Sequence, residues 1–265
     1  ANAIVTAAIL GGEADLCANV GDDRFGRIYS DRLTETVGKH HVHLGPGMAT
    51  GKCLSLISPD AERTMLTDLG CAMELPPSEL FRETLRGADI FHLTGYLYTG
   101  GPIAAVADEA LAIAREAGVR ISFDVADPWV IEANRERLEA VAEIADILFL
   151  NDAEAAIWTG RDDPREATEV LTERAGLTVL KMGAAGSLVI GDGQRREIPV
   201  DPVQAVDTTG AGDAYAGGFL FALARGDDPG HAGRIASRIG AATVARIGGV
   251  LQDAAAARRV VADLL

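Results

Sequence analysis

With 265 residues the chain can bury about 75% of its unfolded surface in one large domain, and it needs no staple of disulfides or metal. Hydrophobic residues make up 48%, beside 30 glycines and few aromatics, which fits an Ala- and Val-rich α/β protein and excludes a disordered or fibrous one. A net charge of −15 repels polyphosphate backbones and leaves no basic face for an anionic membrane, so neither nucleic acid nor a membrane is an expected partner.

The chain opens on Ala1-Asn2-Ala3-Ile4, already inside an amphipathic helix pattern and without a Met, so it reads as joined part-way with an N-terminal segment lacking. It shows no signal-peptide order of charge then apolar run, and no apolar run long enough to span a membrane. Residues 1 to 10 read as a helix, Ala14 to Val20 as a strand, and Arg24 to Val37 as a helix entered through Gly21-Asp22-Asp23, with Asp22 or Asp23 as cap. From His40 to Leu69 the texture is β: Lys52 to Ser58 and Arg63 to Leu69 flank Pro59-Asp60-Ala61-Glu62, a hairpin turn. His40-His41-Val42-His43 has no nearby carboxylate or Cys to complete a metal set and reads as a solvated strand. Cys17, Cys53 and Cys71 form no Cys-x-x-Cys pair, which fits a reducing cytoplasm, the expected location.

After Pro76-Pro77 the order becomes regular: helix 77 to 86, strand 89 to 93, helix 102 to 117, strand 119 to 124, helix 128 to 145, strand 146 to 150. Helices at 152 to 160 and 164 to 175 and strands at 177 to 182, 187 to 190 and about 195 to 200 follow. The last third is helical, at 210 to 225, 230 to 247 and 254 to 264. Helices alternating with short β runs predict α/β architecture, a mostly parallel sheet covered on both faces, in three layers. With no repeat and no low-complexity linker, residues 1-265 read as a single domain with a β lid insertion at about 40-70.

Three stretches carry chemistry. In Asp207-Thr208-Thr209-Gly210-Ala211-Gly212-Asp213-Ala214-Tyr215-Ala216-Gly217-Gly218 two threonines offer an N-cap, and Gly210 and Gly212 clear the first turn of a strongly apolar, hence buried, helix. Backbone N–H groups at such a terminus suit an anion such as phosphate, and a carboxylate among them, Asp213, suits a general base beside a phosphoryl group. Asn151-Asp152-Ala153-Glu154 follows an apolar strand and opens a helix, where ligands bind outside the carboxyl ends of parallel strands. By itself it is equally a capping motif, with Asn151 as N-cap and Glu154 three residues on. Lys181-Met182-Gly183-Ala184-Ala185-Gly186 ends a strand and turns back in a tight hairpin, with Lys181 free to stay in solvent. Asp124, at the end of strand 119 to 124, points toward the same crevice as Asn151 if the sheet is parallel. Other nucleotide motifs fail: Gly51-Lys52 lacks the upstream glycine of a Walker loop, no Gly-x-Gly-x-x-Gly follows a strand, and no Gly-x-Ser-x-Gly occurs.

The string from Asp207 to Gly218, with Asn151-x-x-Glu154, resembles the signature of the ribokinase or PfkB family of sugar and nucleoside kinases. The resemblance runs essentially the whole length, and Thr50-Gly51 with Pro59 to Met65 is most similar to bacterial adenosine or sugar kinases. It implies a ribokinase-like fold and an ATP-dependent phosphotransferase acting on a primary hydroxyl of a sugar or nucleoside. Gly210, Ala211 and Gly212 would form the anion hole and Asp213 the catalytic base. Asn151, Lys181, Gly183, Gly186 and Thr208 would bind nucleotide, and Asn2 would grip the acceptor. Glu154 and Asn151 would orient Mg²⁺ through water, and Asp207 would help hold a monovalent cation, K⁺. A homodimer through the β lid is the expected assembly. The Gly-Gly pair and first strand that carry the rest of the family's acceptor site are not in this chain. The alternatives are adenosine kinase specifically, a pyridoxal or hydroxymethylpyrimidine kinase, or a catalytically silent ligand-binding relative.

Overall fold

Residues 1–76 supply α1 (Asn2–Leu10), β1 (Cys17–Gly21), α2 (Arg24–Thr36), β2 (His41–Gly45), β3 (Lys52–Ile57) and β4 (Arg63–Asp68). They are seen in a computed structural model that describes residues 1–57, 63–172 and 175–265. β1 and β2 pair in parallel from Cys17↔His41 to Gly21↔Gly45. β1 starts at Cys17 and not at Ala14 because a strand reaches only as far as its ladder, and His41 is the first residue of β2. His41 does not lie in solvent: its ring is mostly buried and meets the Asp15 carboxylate at 3.0 Å. β3 and β4 form an antiparallel hairpin from Lys52↔Asp68 to Ile57↔Arg63. The turn expected at Pro59-Asp60-Ala61-Glu62 lies outside the described residues.

The root of that hairpin is fastened twice. Asp23, the cap of α2, accepts the Gly26 N–H at 2.9 Å, the Thr50 N–H at 2.9 Å and the Thr50 hydroxyl at 2.7 Å. The Thr50 amide, then the Gly26 amide and the Thr50 hydroxyl hold the Asp23 carboxyl down at about 2. On the other side, the Asn19 amide donates to the carbonyls of Cys71 (2.7 Å) and Glu74 (3.1 Å).

Residues 77–199 form a compact unit of their own. It contains α3 (Glu79–Arg86), β5 (Ile90–Thr94), α4 (Ile103–Ala117), β6 (Arg120–Asp124), α5 (Pro128–Ala142), β7 (Ile147–Asn151), α6 (Asp152–Thr159), α7 (Pro164–Thr172), β8 (Leu177–Lys181), β9 (Ser187–Gly191) and β10 (Gln194–Ile198). The strands make one sheet in the order β10-β9-β8-β7-β6-β5, parallel from β5 to β8 and antiparallel at β9 and β10. Leu93, Ile121, Phe123, Leu148, Leu150 and Leu180 of one sheet face join apolar residues of the helices in the core. Phe149 and Val179, which alternate with them, are buried as well, so β7 and β8 read as unbroken apolar runs. α5 is not continuous, as the sequence suggested, but kinks at Asn134 (φ −137°), whose amide donates to the Val130 carbonyl. Beyond the kink Arg135 donates to the carbonyls of Trp158 (2.8 Å) and Ile157 (2.9 Å), the otherwise unpaired end of α6.

Residues 200–265 join residues 1–76 in the second unit and carry α8 (Ala211–Ala224), α9 (Pro229–Val244) and α10 (Ala254–Val260). α9 stops short of residue 247 because the Val244 carbonyl accepts the N–H groups of Val206 and Asp207. α10 stops short of residue 264 because beyond Val260 the chain tightens: the N–H groups of Val261, Ala262 and Leu264 turn back to carbonyls three residues earlier. No helix among the described residues is long and apolar enough to cross a membrane.

α8 is apolar all round, and its ten residues from Ala214 to Leu223 are all buried. Two glycines let its neighbours in: a Cβ on Gly217 would stand 2.3 Å from the Ala3 carbonyl and 2.7 Å from the Thr6 side chain on α1, and one on Gly218 would stand 3.2 Å from Ala236 on α9. Gly217→Ala should therefore push α1 off α8 and destabilise the protein by about 1–3 kcal/mol, read as a lower denaturant midpoint at unchanged slope. An unchanged midpoint would show that α1 does not depend on this contact.

Candidate active site

The loop entering α8 is tied down by Asp207, which is 2% exposed. Its Oδ1 accepts the Thr209 N–H at 2.9 Å and its Oδ2 accepts the Gly248 N–H at 2.9 Å, clasping the loop to the segment after α9. Gly210 takes φ 72°, and a Cβ there would lie 2.2 Å from the Gly249 carbonyl, so this glycine serves the loop's own packing as well as its turn. The expected threonine cap does not form. Gly210 occupies the cap position, no side chain caps α8, and the Ala211 N–H turns back to the Thr208 carbonyl at 3.3 Å. The N–H groups of Gly210, Gly212 and Asp213 are then the candidates of the first turn for an anion.

Asp213 sits in that first turn, and its Oδ2 accepts a hydrogen bond from the Asn2 side-chain amide at 2.8 Å. Asn2, Asp207, Thr208, Gly210, Ala211, Gly212 and Asp213 therefore lie within one unit, and all but Asn2 are contiguous in one loop and helix start.

The other unit holds Asp124, Asn151, Glu154, Lys181, Gly183 and Gly186. Asn151 and Glu154 form a complete capping box at α6: the Glu154 N–H donates to Asn151 Oδ1 (2.8 Å), and the Glu154 carboxylate accepts the Asn151 N–H and side-chain amide, each at 2.7 Å. Glu154 is 1% exposed, and burial pushes its carboxyl up to about 7, with Lys181 pulling it down and Asp124 pushing it further up. Lys181 pairs with Asp124 at 2.7 Å and does not stay in solvent. β8 sets Lys181 opposite Asn151 on β7, and β6 sets Asp124 opposite Phe149, so the three strand ends converge. Asp124 Oδ1 also accepts the Ala126 N–H at 3.1 Å, holding Ala126 at φ 84°, a conformation a non-glycine residue adopts only when its surroundings impose it. Gly183 (φ 53°) and Gly186 (φ 86°) shape the turn from β8 to β9.

Among the described residues no three His, Cys, Asp or Glu side chains gather to cage a metal.

Sequence alone did not reveal the Lys181–Asp124 pair, although both residues end apolar strands at a parallel sheet's carboxyl edge. Nor did it reveal Tyr96 and Trp129, two exposed aromatics 6.4 Å apart, with the Tyr96 hydroxyl donating to the Ala126 carbonyl. Their only signal was an aromatic residue shortly after a strand.

The profile of the pfkB family carbohydrate kinases matches residues 1–254. Over 236 residues the chain is 31% identical to a fructokinase of Klebsiella pneumoniae, covering 84% of this chain and 75% of that one. It is 29% identical over 234 residues to a ribokinase of Mus musculus, covering 84% and 70%. Among solved structures, the adenosine kinase from Sinorhizobium meliloti superposes with a TM-score of 0.91 at 27% identity, over 97% of this chain and 81% of that one. The sheet and helices are those of a three-layer α/β/α fold with a mostly parallel central sheet, as the sequence predicted. A glycine-rich helix start with Asp213 in its first turn, on this fold and with these relatives, has one source: the chain belongs to the pfkB family of carbohydrate kinases.

Proposed function

We propose that this kinase moves the γ-phosphoryl group of Mg-ATP to a primary hydroxyl of a sugar or nucleoside, with Asp213 as the base. The observation that carries the reading is Asp213 in the uncapped first turn of α8, among the N–H groups that would meet a phosphoryl oxygen. The fructokinase and ribokinase relatives support a sugar acceptor, and the adenosine kinase structure supports a nucleoside.

In this reading Asp213 accepts the hydroxyl proton as the acceptor oxygen bonds to phosphorus. The amides of Gly210 and Gly212, with that of Asp213 beside them, take up charge on the transferring group, and Ala211, whose N–H turns back to Thr208, shapes the turn that aims them. Because the transition state of phosphoryl transfer is loose, position and electrostatics outweigh base strength. Asn151, Thr208, Gly183 and Gly186 would line the nucleotide, and Lys181 with Asp124 would hold the strand ends that present it. Mg²⁺, when bound, neutralises charge on the phosphates, and Glu154 with Asn151 would hold its water shell. Asn2 would face the acceptor. Thr209 Oγ1 is buried without a partner among the described residues, yet both oxygens of Asp207 accept backbone N–H groups, so no step is assigned to K⁺.

Residues 1–265 would work as one kinase domain, with the β segment at about 40 to 70 as a lid that keeps water from the acceptor. Leu54, Leu56 and Leu66 lie exposed on one face of that hairpin, with Leu54 opposite Leu66. Such a face suits a second copy of the chain. Leu54→Lys with Leu66→Glu should turn a dimer into a monomer in sedimentation runs. A wild-type chain that sediments as a monomer at high concentration would end the dimer reading.

Asp213→Asn should lower kcat by about 10² to 10⁴ with nucleotide affinity nearly kept. A fully active variant would remove Asp213 from the chemistry. Glu154→Gln should raise the Mg²⁺ concentration for half-maximal rate roughly 10-fold or more. Unchanged Mg²⁺ dependence would leave Glu154 as a helix cap alone.

A further inference from the structure

We propose that Asn2 is the positioning residue of the Asp213 base: its side-chain amide holds Oδ2 at 2.8 Å and leaves Oδ1 to take the proton. The proposal rests on the reading of Asp213 as base and adds to it the part that fixes the carboxylate in place.

An ionised carboxylate only accepts hydrogen bonds, so the NH₂ end of the Asn2 amide must be the end that faces it. A bond to a charged acceptor at this length is among the stronger hydrogen bonds a side chain makes. Asn2 is also poorly free to drift. It is the first residue of α1, which is drawn onto α8 by the absent side chain of Gly217, so donor and acceptor stand on two helices in backbone contact. On its other side, a Cβ on Gly249 would come within 3.2 Å of Asn2 Nδ2. The same Gly249 blocks a side chain at Gly210. Three pieces of chain, the start of α1, the segment after α9 and the loop before α8, thus meet at one corner, and Asn2 is the side chain that reaches from that corner to the base.

The step this serves balances without any further reagent. The acceptor O–H proton passes to Asp213 Oδ1 while its oxygen bonds to the γ-phosphorus. The bond from that phosphorus to the bridging oxygen breaks, its electron pair leaving with ADP. With Oδ2 tethered, the carboxylate cannot rotate away from the hydroxyl, and a misplacement of about 1 Å costs on the order of 10² in rate.

The test is a double-mutant cycle in the full chain with Mg-ATP, using whichever of D-fructose, D-ribose and adenosine turns over fastest. Asn2→Ala should lower kcat about 10- to 100-fold with little change in the acceptor KM, and in an Asp213→Asn background the same change should cost less than about twofold. Asn2→Asp keeps the shape and an acceptor oxygen for a sugar hydroxyl but cannot donate to a carboxylate, so it should lose at least as much as Asn2→Ala. Should Asn2→Ala fail to fold, the near-isosteric Asn2→Asp carries the same cycle, its loss in kcat again shrinking to less than about twofold in the Asp213→Asn background. Losses that multiply in the double variant, or that fall on KM with Asn2→Asp near wild type, would overturn the assignment of Asn2 and leave the base in place. A fully active Asp213→Asn, or no turnover by the unaltered chain with any of the three, would overturn the function reading and this proposal with it.

Discussion

A helix that is apolar on every side must be enclosed by other helices, and α8 is enclosed at the distance of backbone contact. Gly217 and Gly218 permit this by offering no side chain to α1 and α9. The consequence is geometric: the beginning of α1 and the beginning of α8 come to rest beside each other, although Asn2 and Ala211 lie far apart in sequence. The uncapped amides of α8, the carboxylate in its first turn and the amide side chain that reaches it all inherit their positions from that packing. A corner built on two buried helices is stiffer than one built on loops, which is what the proposed role of Asp213 asks of it.

The second cluster is organised by charge and desolvation. Glu154 is almost fully enclosed and already satisfies the end of α6, while Lys181 is drawn down to Asp124 on the neighbouring strand ends. Burial raises that carboxyl to about 7 against the opposing pull of Lys181. Support comes from behind as well. The kink in α5 at Asn134 lets Arg135 close the far end of α6 by donating to its last carbonyls, so both ends of this short helix are fixed by side chains.

The fold was largely legible in the order of elements, because alternating helices and short apolar runs leave few arrangements besides a parallel sheet. The string around Asp213 was legible for another reason: twelve contiguous residues hold the turn, the donors and the carboxylate, so no tertiary knowledge was needed. What could not be read was set by partners far along the chain. The cap of α8 falls on Gly210 and not on a threonine because Gly249 packs against it. Lys181 leaves solvent because Asp124, 57 residues earlier, ends a strand that the sheet brings alongside. His41 looked like part of a solvated strand because its partner Asp15 lies before β1, and only the parallel pairing of β1 with β2 joins them. Where α9 ends was likewise decided by a carbonyl claimed from elsewhere, which no periodicity records.

The root of the β3–β4 hairpin is gripped from both flanks, by Asp23 at Thr50 and by Asn19 at Cys71 and Glu74. Inside those grips, Gly51 and Gly70 have no room for a side chain: a Cβ would meet the Leu69 carbonyl at 2.6 Å and the Ala49 carbonyl at 2.5 Å. A hairpin mounted in this way is a blade on a fixed fulcrum. Its exposed leucines can change with whatever they cover, while the mounting tolerates almost nothing, so drift in sequence should collect on the blade and stop at the fulcrum. The clasp at Asp23 also keeps its charge until about pH 2, because the amides that hold it favour the ionised form. Protonating this carboxylate therefore takes more acid than an ordinary aspartate needs.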